Sequence, residues 1–412
     1  MGKYRMRRIK RRKKLSYSRV KPVVITICII MGIIFAIGAT IHFGIPFIND
    51  LSKPKETPSP EPTETIASTA IPQPTQIPSI MDDFDALSSS HEIVPQVEDA
   101  SEYRWFGDPY HYNGTILFTG GKLIDNVSVM CTLFMYSTND DRTTRVFEHE
   151  LIGDHFMFAQ MNDKYIVFLD AYMDGGGYIT CYDRQNKNAE PEIVKQVYVG
   201  QPEIKLWDNY LVWTERTGTR MDKLYVCDLD TMESITLVMF SDSVYGQSLP
   251  SIMDGMIVWA NAEHGGDIAE ATSIINYLSL ESGSQYSYET GTYVHDPEGN
   301  GKYFAWLDTH HDEAAKLYGS RGSDDPVLIA EGVIEFGLYE DYIVYSKDQA
   351  IWLYSFEADR HFRLTSSDTA AQFMGISDGI VFWMDVTQRG NDILMYLELP
   401  IETESAFAQA GK

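Results

Sequence analysis

Apolar and polar positions alternate in a recurring module from about residue 110 onward. Each module opens with a turn-forming group and continues into a short apolar run. A polar stretch follows, and then a second run rich in Leu and Tyr. The openings read YNGTILF, MNDKYIVF, LWDNYLVW, IMDGMIVW, GNGKYFAW, LYEDYIVY and ISDGIVFW. The second runs read LFMYS, YITCYD, LYVCDL, INYLSL, KLYGS, WLYSF and LMYLEL. Short β-branched and aromatic runs bounded by turn residues predict strands. Asn113-Gly114, Asp254-Gly255 and Asp378-Gly379 predict tight hairpin turns, because these pairs tolerate positive φ.

The central residues of the first runs are Leu117, Val167, Val212, Val258, Ala305, Val344 and Val381, spaced by 50, 45, 46, 47, 39 and 37 residues. A third, outer strand follows each second run, at VFEHEL, EIVKQV, ITLVMF, QYSYET, VLIAE and FRLTS. The last module lacks one. The segment EIVPQV (Glu92–Val97) resembles EIVKQV (Glu192–Val197) and lies ahead of the first module. It is therefore expected to pair beside Leu394–Leu397 and close the array. Pro95 suits such an edge. No long amphipathic helix pattern follows residue 90. A strand-only repeat near 45 residues predicts an all-β fold, a β-propeller with one four-stranded sheet per blade. Seven blades are expected, or six if the long first unit is a decorated cap.

The stretches SDGIVFW, GNDILMYLEL and MDKLYVCDLD resemble repeats of the TolB-like and prolyl-oligopeptidase-type propellers, some of them on bacterial surface proteins. The resemblance covers roughly residues 90 to 400 and implies the fold. The family's proline before Asp-Gly is absent here.

The chain's start changes the picture. Residues 1–21 hold eleven Lys or Arg and no acid, and Val23–Ile48 holds no charged residue. A basic cytoplasmic tail (1–21) followed by a single transmembrane helix (22–48) is the expectation. It places the C-terminal part outside the cell and the basic tail near anionic lipid. A cleaved signal peptide is the competing reading. Residues 49–90 form a Pro/Thr/Ser-rich linker with seven prolines between Pro54 and Pro78. Such a composition cannot bury enough apolar surface to fold. The propeller then spans 91–400, and 401–412 is a polar tail. The arrangement suggests a single-pass surface protein of a Gram-positive type of bacterium.

Of 33 basic residues, 22 lie beyond residue 21, against 59 acids. Phosphate binding rests on Lys and Arg, so nucleic acid is not an expected partner. Cations, cationic proteins and neutral glycans remain compatible. Cys131, Cys181 and Cys227 are odd in number outside the span, and are expected to be buried thiols rather than a disulfide framework.

Candidate chemistry gathers in the loops between the two runs of each module. Asp170 and Asp174 beside three glycines suit calcium, the one cofactor considered. Asp308, His310 and His311 form the densest ligand-like group, although a solvated polar loop accounts for it as well. Trp213, Glu215 and Arg216, with His264, Asp385 and Arg389, complete a candidate ligand face. No Gly-x-Ser-x-Gly elbow occurs. The sequence thus suggests a non-catalytic binding or scaffold module for an extracellular protein or cell-wall glycan. A glycan-processing hydrolase or lyase, using carboxylates of the channel, is the alternative.

Overall fold

The computed structural model describes residues 90–399, except 150–153, 187–188, 218–220, 242–247, 264–271, 292, 309–313 and 389–391, together with the backbone of 82–83. The expected basic tail, membrane span and C-terminal tail, and all of the linker but 82–83 and 90, lie outside the described residues. Among the described residues, no helix is long and apolar enough to cross a membrane.

Seven antiparallel sheets form seven blades in chain order. Blade 1 runs through Tyr103–Tyr112, Thr115–Ile124, Val127–Ser137 and Arg142–Glu148, from innermost to outermost strand. The innermost strands of blades 2 to 7 are Asp154–Met161, Ile204–Trp207, Ser251–Met253, His295–Gly299, Phe336–Tyr339 and Ala371–Ser377. The apolar runs read from the sequence are the second strands. All seven of their central residues, Leu117 to Val381, are completely buried. The expected outer strands are present, with EIVKQV at Glu192–Val197 and VLIAE at Val327–Glu331 matching to the residue. Along blade 6, Asp82–Asp83 lies parallel beside Phe362 and Arg363.

The hairpin chemistry follows the sequence. Asn113, Asp254 and Asp378 have φ of 47°, 48° and 46°, and the glycines after them 71°, 73° and 73°. Two consecutive positive φ values define the turn whose twist matches the flanking strands.

Blade 7 closes as expected, though with a shorter strand placed one residue earlier than Glu92–Val97. His91 pairs with Tyr396 and Glu92 with Met395. The Ile93 N–H donates to the Leu394 carbonyl at 2.9 Å. The outermost strand of the last blade is thus supplied from ahead of the first, which removes an open ring edge.

The buried apolar side chains form seven clusters, each shared by two neighbouring blades. No blade has a core of its own; each hides its faces on its neighbours. Polar clamps repeat at these junctions. The Asn162 amide donates to the Asp208 carbonyl of blade 3, and the Tyr165 hydroxyl and Lys164 Nζ meet Asp230 at 2.6 and 2.5 Å. Asn300, Lys302 and Tyr303 of blade 5 repeat the device against the Glu340 carbonyl and Glu357 of blade 6. Asn300 Oδ1 also accepts from the Lys302 and Tyr303 N–H groups. Asn300→Ala deletes these bonds together, so a loss of about 1–3 kcal/mol is expected. Urea unfolding checks it; an unchanged midpoint would mean the turn holds without the clamp. Cys131, Cys181 and Cys227 are free and buried, and burial pushes the Cys181 thiol up to about 12.

Candidate functional site

The innermost strands line the central channel, and four of them carry bulges there. The ladder of blade 1 skips Asp108-Pro109, that of blade 2 Phe158-Ala159, and that of blade 5 Asp296-Pro297. In blade 7 the skip falls at Met374. Asp108, Phe158 and Asp296 have φ of 46°, 53° and 49°, and Gly375 has 130°. A non-glycine residue held at positive φ costs on the order of 1–3 kcal/mol. Bulges re-aim side chains and concentrate beside functional sites. Proline is tolerated at the two Asp-Pro steps because a bulged residue makes no ladder bond.

The side chains brought to the channel are charged. Asp108 of blade 1, Glu203 and Lys205 of blade 3, and Glu298 of blade 5 line a cavity of about 300 Å³ toward the turn side and one of about 460 Å³ toward the other mouth. Asp378 joins the first and Asp296 and Glu335 the second. Lys205 is the one lysine or arginine among the described residues of either lining. Its Nζ lies 2.5 Å from Glu203 Oε1, and 29% of its side chain remains exposed, so channel water reaches it.

The carboxyls do not share one environment. Burial pushes Glu298 up to about 7; Glu203 and Asp296 add to the rise, while Lys205 and the Leu338 N–H oppose it. That N–H donates to Glu298 Oε2 at 2.5 Å. Burial likewise pushes Asp108 up to about 6, with Glu203 adding and the Phe158 N–H and Lys205 opposing. Burial raises Glu335, with Glu203 adding. Burial works to lower the Lys205 ammonium, but Glu203, Glu298 and Asp296 outweigh it and hold the group above the usual lysine range. Asp296 is tied down by the Leu249 N–H at 2.6 Å and by His295 Nδ1 at 2.9 Å. The site therefore has a lysine–carboxylate pair flanked by two carboxyls that change charge near neutrality, as acid–base chemistry or charge recognition requires.

The sequence candidates that fall among the described residues lie elsewhere, and none of those lines this channel cavity. Asp170 lies near the end of the second strand of blade 2 (Tyr165–Tyr172) and faces His149 Nε2 at 3.1 Å; Asp174 sits exposed in the following turn. Trp213 is completely buried and stacked on Tyr225 at 5.2 Å. Glu215 is buried, 4.0 Å from Lys195 Nζ, and raised by that burial. Arg216 Nε lies 3.4 Å from Asp222 Oδ1. Asp308 is half-buried at the end of its strand, and Asp385 accepts from the Thr387 N–H. His264, His310, His311 and Arg389 lie outside the described residues. Among the described residues, no three His, Cys, Asp or Glu side chains are grouped as a metal site needs.

Comparison with known proteins bears on the fold alone. No family model matches the sequence, and no curated protein matches it. The structure is similar to an oligogalacturonate lyase solved in complex with manganese, with a TM-score of 0.51 and 13% identity over 74% of this chain and 92% of that one. It is similar to the β-propeller domain of the Trilobed protease from Pyrococcus furiosus, with a TM-score of 0.55 and 14% identity over 71% and 95%. It also matches the acylaminoacyl peptidase of Pyrococcus horikoshii, with a TM-score of 0.53 and 11% identity, covering 74% of this chain and 54% of that one. All three are enzymes or parts of enzymes that contain a β-propeller, the fold they share with this chain.

Proposed function

We propose that this chain is a membrane-tethered, extracytoplasmic propeller whose central channel binds a ligand without transforming it. The tether rests on the basic tail and the uncharged run of 22–48. The observation that carries the binding reading is the gathering of Asp108, Glu203, Lys205 and Glu298, from three blades, around one cavity. Asp108 and Asp296 are held at positive φ on these strands, and such strained positions cluster at ligand sites. A ligand site gives that strain a reason.

The acid–base properties of Glu298 and Asp108 favour a second reading, a glycan-processing enzyme. One carboxyl near 7 and another near 6 on different blades are the materials of general acid–base catalysis. Paired carboxyls in glycosidases stand roughly 5–10 Å apart.

One experiment separates the two. The full chain in nonionic detergent is offered a panel of cell-wall oligosaccharides and extracellular proteins, with retention and product both measured. Retention without product, lost in Glu298→Gln, is the expected result. Turnover that Glu298→Gln abolishes would put the enzyme first.

A further inference from the structure

The channel's charges are badly out of balance. Among the described residues, six carboxyls line its two cavities, from Asp108, Glu203, Asp296, Glu298, Glu335 and Asp378, against the single Lys205. An anionic ligand meets repulsion there. A second feature is a polar group that a hydrogen-bonding ligand would satisfy. Ser251, 5% exposed and at the start of its innermost strand, lines both cavities. Its Oγ has no hydrogen-bond partner among the described residues. Leaving a buried hydroxyl unmatched is costly, and a group entering the channel that pairs with it recovers that cost. A group that donates several hydrogen bonds and carries positive charge answers both features. The ammonium has three donors and the guanidinium five. Cavities of about 300 and 460 Å³ admit a side chain of that length, but they exclude a folded domain.

We infer that the channel binds the protonated side chain of a lysine or arginine presented by a protein partner, held among Glu298, Glu203 and Ser251. The inference rests on the reading of the channel as the ligand site. A protein source is favoured by the whole outer part of the chain, where 59 acids face 22 bases and attract a basic surface.

The electrostatics make binding proton-linked. Glu298 and Asp108 hold protons that stand in for the missing cation. The groups around them are Glu203 and Lys205 of blade 3, Asp296 with His295 of blade 5, Glu335 of blade 6, and Asp378 with His111 between blades 7 and 1. A guest ammonium displaces the protons, so affinity rises with pH through 6 to 7. His111 and Asp378 already pair at 3.2 Å, and burial chiefly holds the His111 ring below its usual range.

The test is calorimetry on the full chain in nonionic detergent. The probes are acetylated, amidated Ala-Lys-Ala and Ala-Arg-Ala, their norleucine counterpart, n-butylamine and a glucosamine oligomer. The charged peptides should bind about tenfold or more tightly than the norleucine peptide, and more tightly at pH 8 than at pH 5.5. Glu298→Gln should weaken them about tenfold, and Ser251→Ala severalfold, with both variants melting cooperatively. Butylamine alone should bind more weakly than the peptides; equal affinity assigns the site to free amines and overturns a protein partner. So does tighter binding of the glucosamine oligomer. Equal norleucine and lysine affinities, or no binding, overturn the cation. If a neutral oligosaccharide then binds and Glu298→Gln abolishes it, the channel site stands and only the cation is wrong. If channel variants alter no ligand, the site itself falls.

Discussion

Ile93→Asp is expected to lower the thermal midpoint by on the order of 10 °C. Ile93 is 3% exposed and shares a cluster with Leu394 and Tyr396 of blade 7 and Phe134 and Tyr136 of blade 1. Losing that burial removes about 2–3 kcal/mol. A carboxylate in its place either stays charged in an apolar cluster or binds a proton, and each costs more. For a domain of this size every kcal/mol moves the midpoint by a few degrees. The loss is not local. The Ile93 N–H bond and the two-residue ladder of His91 and Glu92 are what joins the first segment to the last blade. Without them blade 7 keeps three strands and shows an edge. Ile235→Asp is the control, since Ile235 is 61% exposed on the outer strand of blade 3. Calorimetric scans of the two variants decide it. Equal midpoints would mean that the ring is closed by blade packing alone.

That closure could be read from the sequence, and so could the blade number, because both rest on burial. The second strands are covered on both faces, so they appear as unbroken apolar runs such as VFW at 381–383. The innermost strands are different. They have one face on the next strand and polar tasks toward the channel, and four are interrupted by bulges. Bulges break the two-residue alternation from which strands are recognised. Ser251–Met253 is three residues long. No periodic signal marks such segments, and the side chains of the channel sit on them.

A trace was nevertheless present. Asp108-Pro109 stands five residues before the turn Asn113, and Asp296-Pro297 four before Asn300. An Asp-Pro step in equivalent places in two blades is a bulge signature, and it marks the carboxyl-bearing strands of blades 1 and 5. Reading for clustered polar residues points instead to stretches such as 307–314, of which Asp308 ends its strand half-buried and 309–313 lie outside the described residues. Trp213 illustrates the same difficulty from the other side: its place in the sequence sets it on the candidate ligand face, and in the fold it is core.

The second large effect is electrostatic and has a definite sign. Glu298 binds its proton more tightly in the folded chain, up to about 7, than an ordinary glutamate near 4.5. A raised carboxyl stabilises the fold fully below the unfolded value, and that contribution is lost as pH climbs through the folded one. Glu298 therefore withdraws stability between about pH 4.5 and 7. At about 1.4 kcal/mol per unit the ceiling is roughly 3 kcal/mol, and water in the channel brings the expected figure nearer 2. Glu298→Gln keeps the acceptor for the Leu338 N–H and cannot ionise. Against the wild type it should be similar at pH 4.5 and more stable by about 2 kcal/mol at pH 8. Asp108, raised to about 6, gives the same sign over a lower window, from about 4 to 6. Asp108→Asn should show that earlier gain, with the positive φ that asparagine tolerates left in place. Urea midpoints at half-unit pH steps follow both variants. Parallel profiles for wild type and Glu298→Gln would mean that the carboxyl is hydrated like any surface group, and the channel would then hold no charge strain for a cation to relieve.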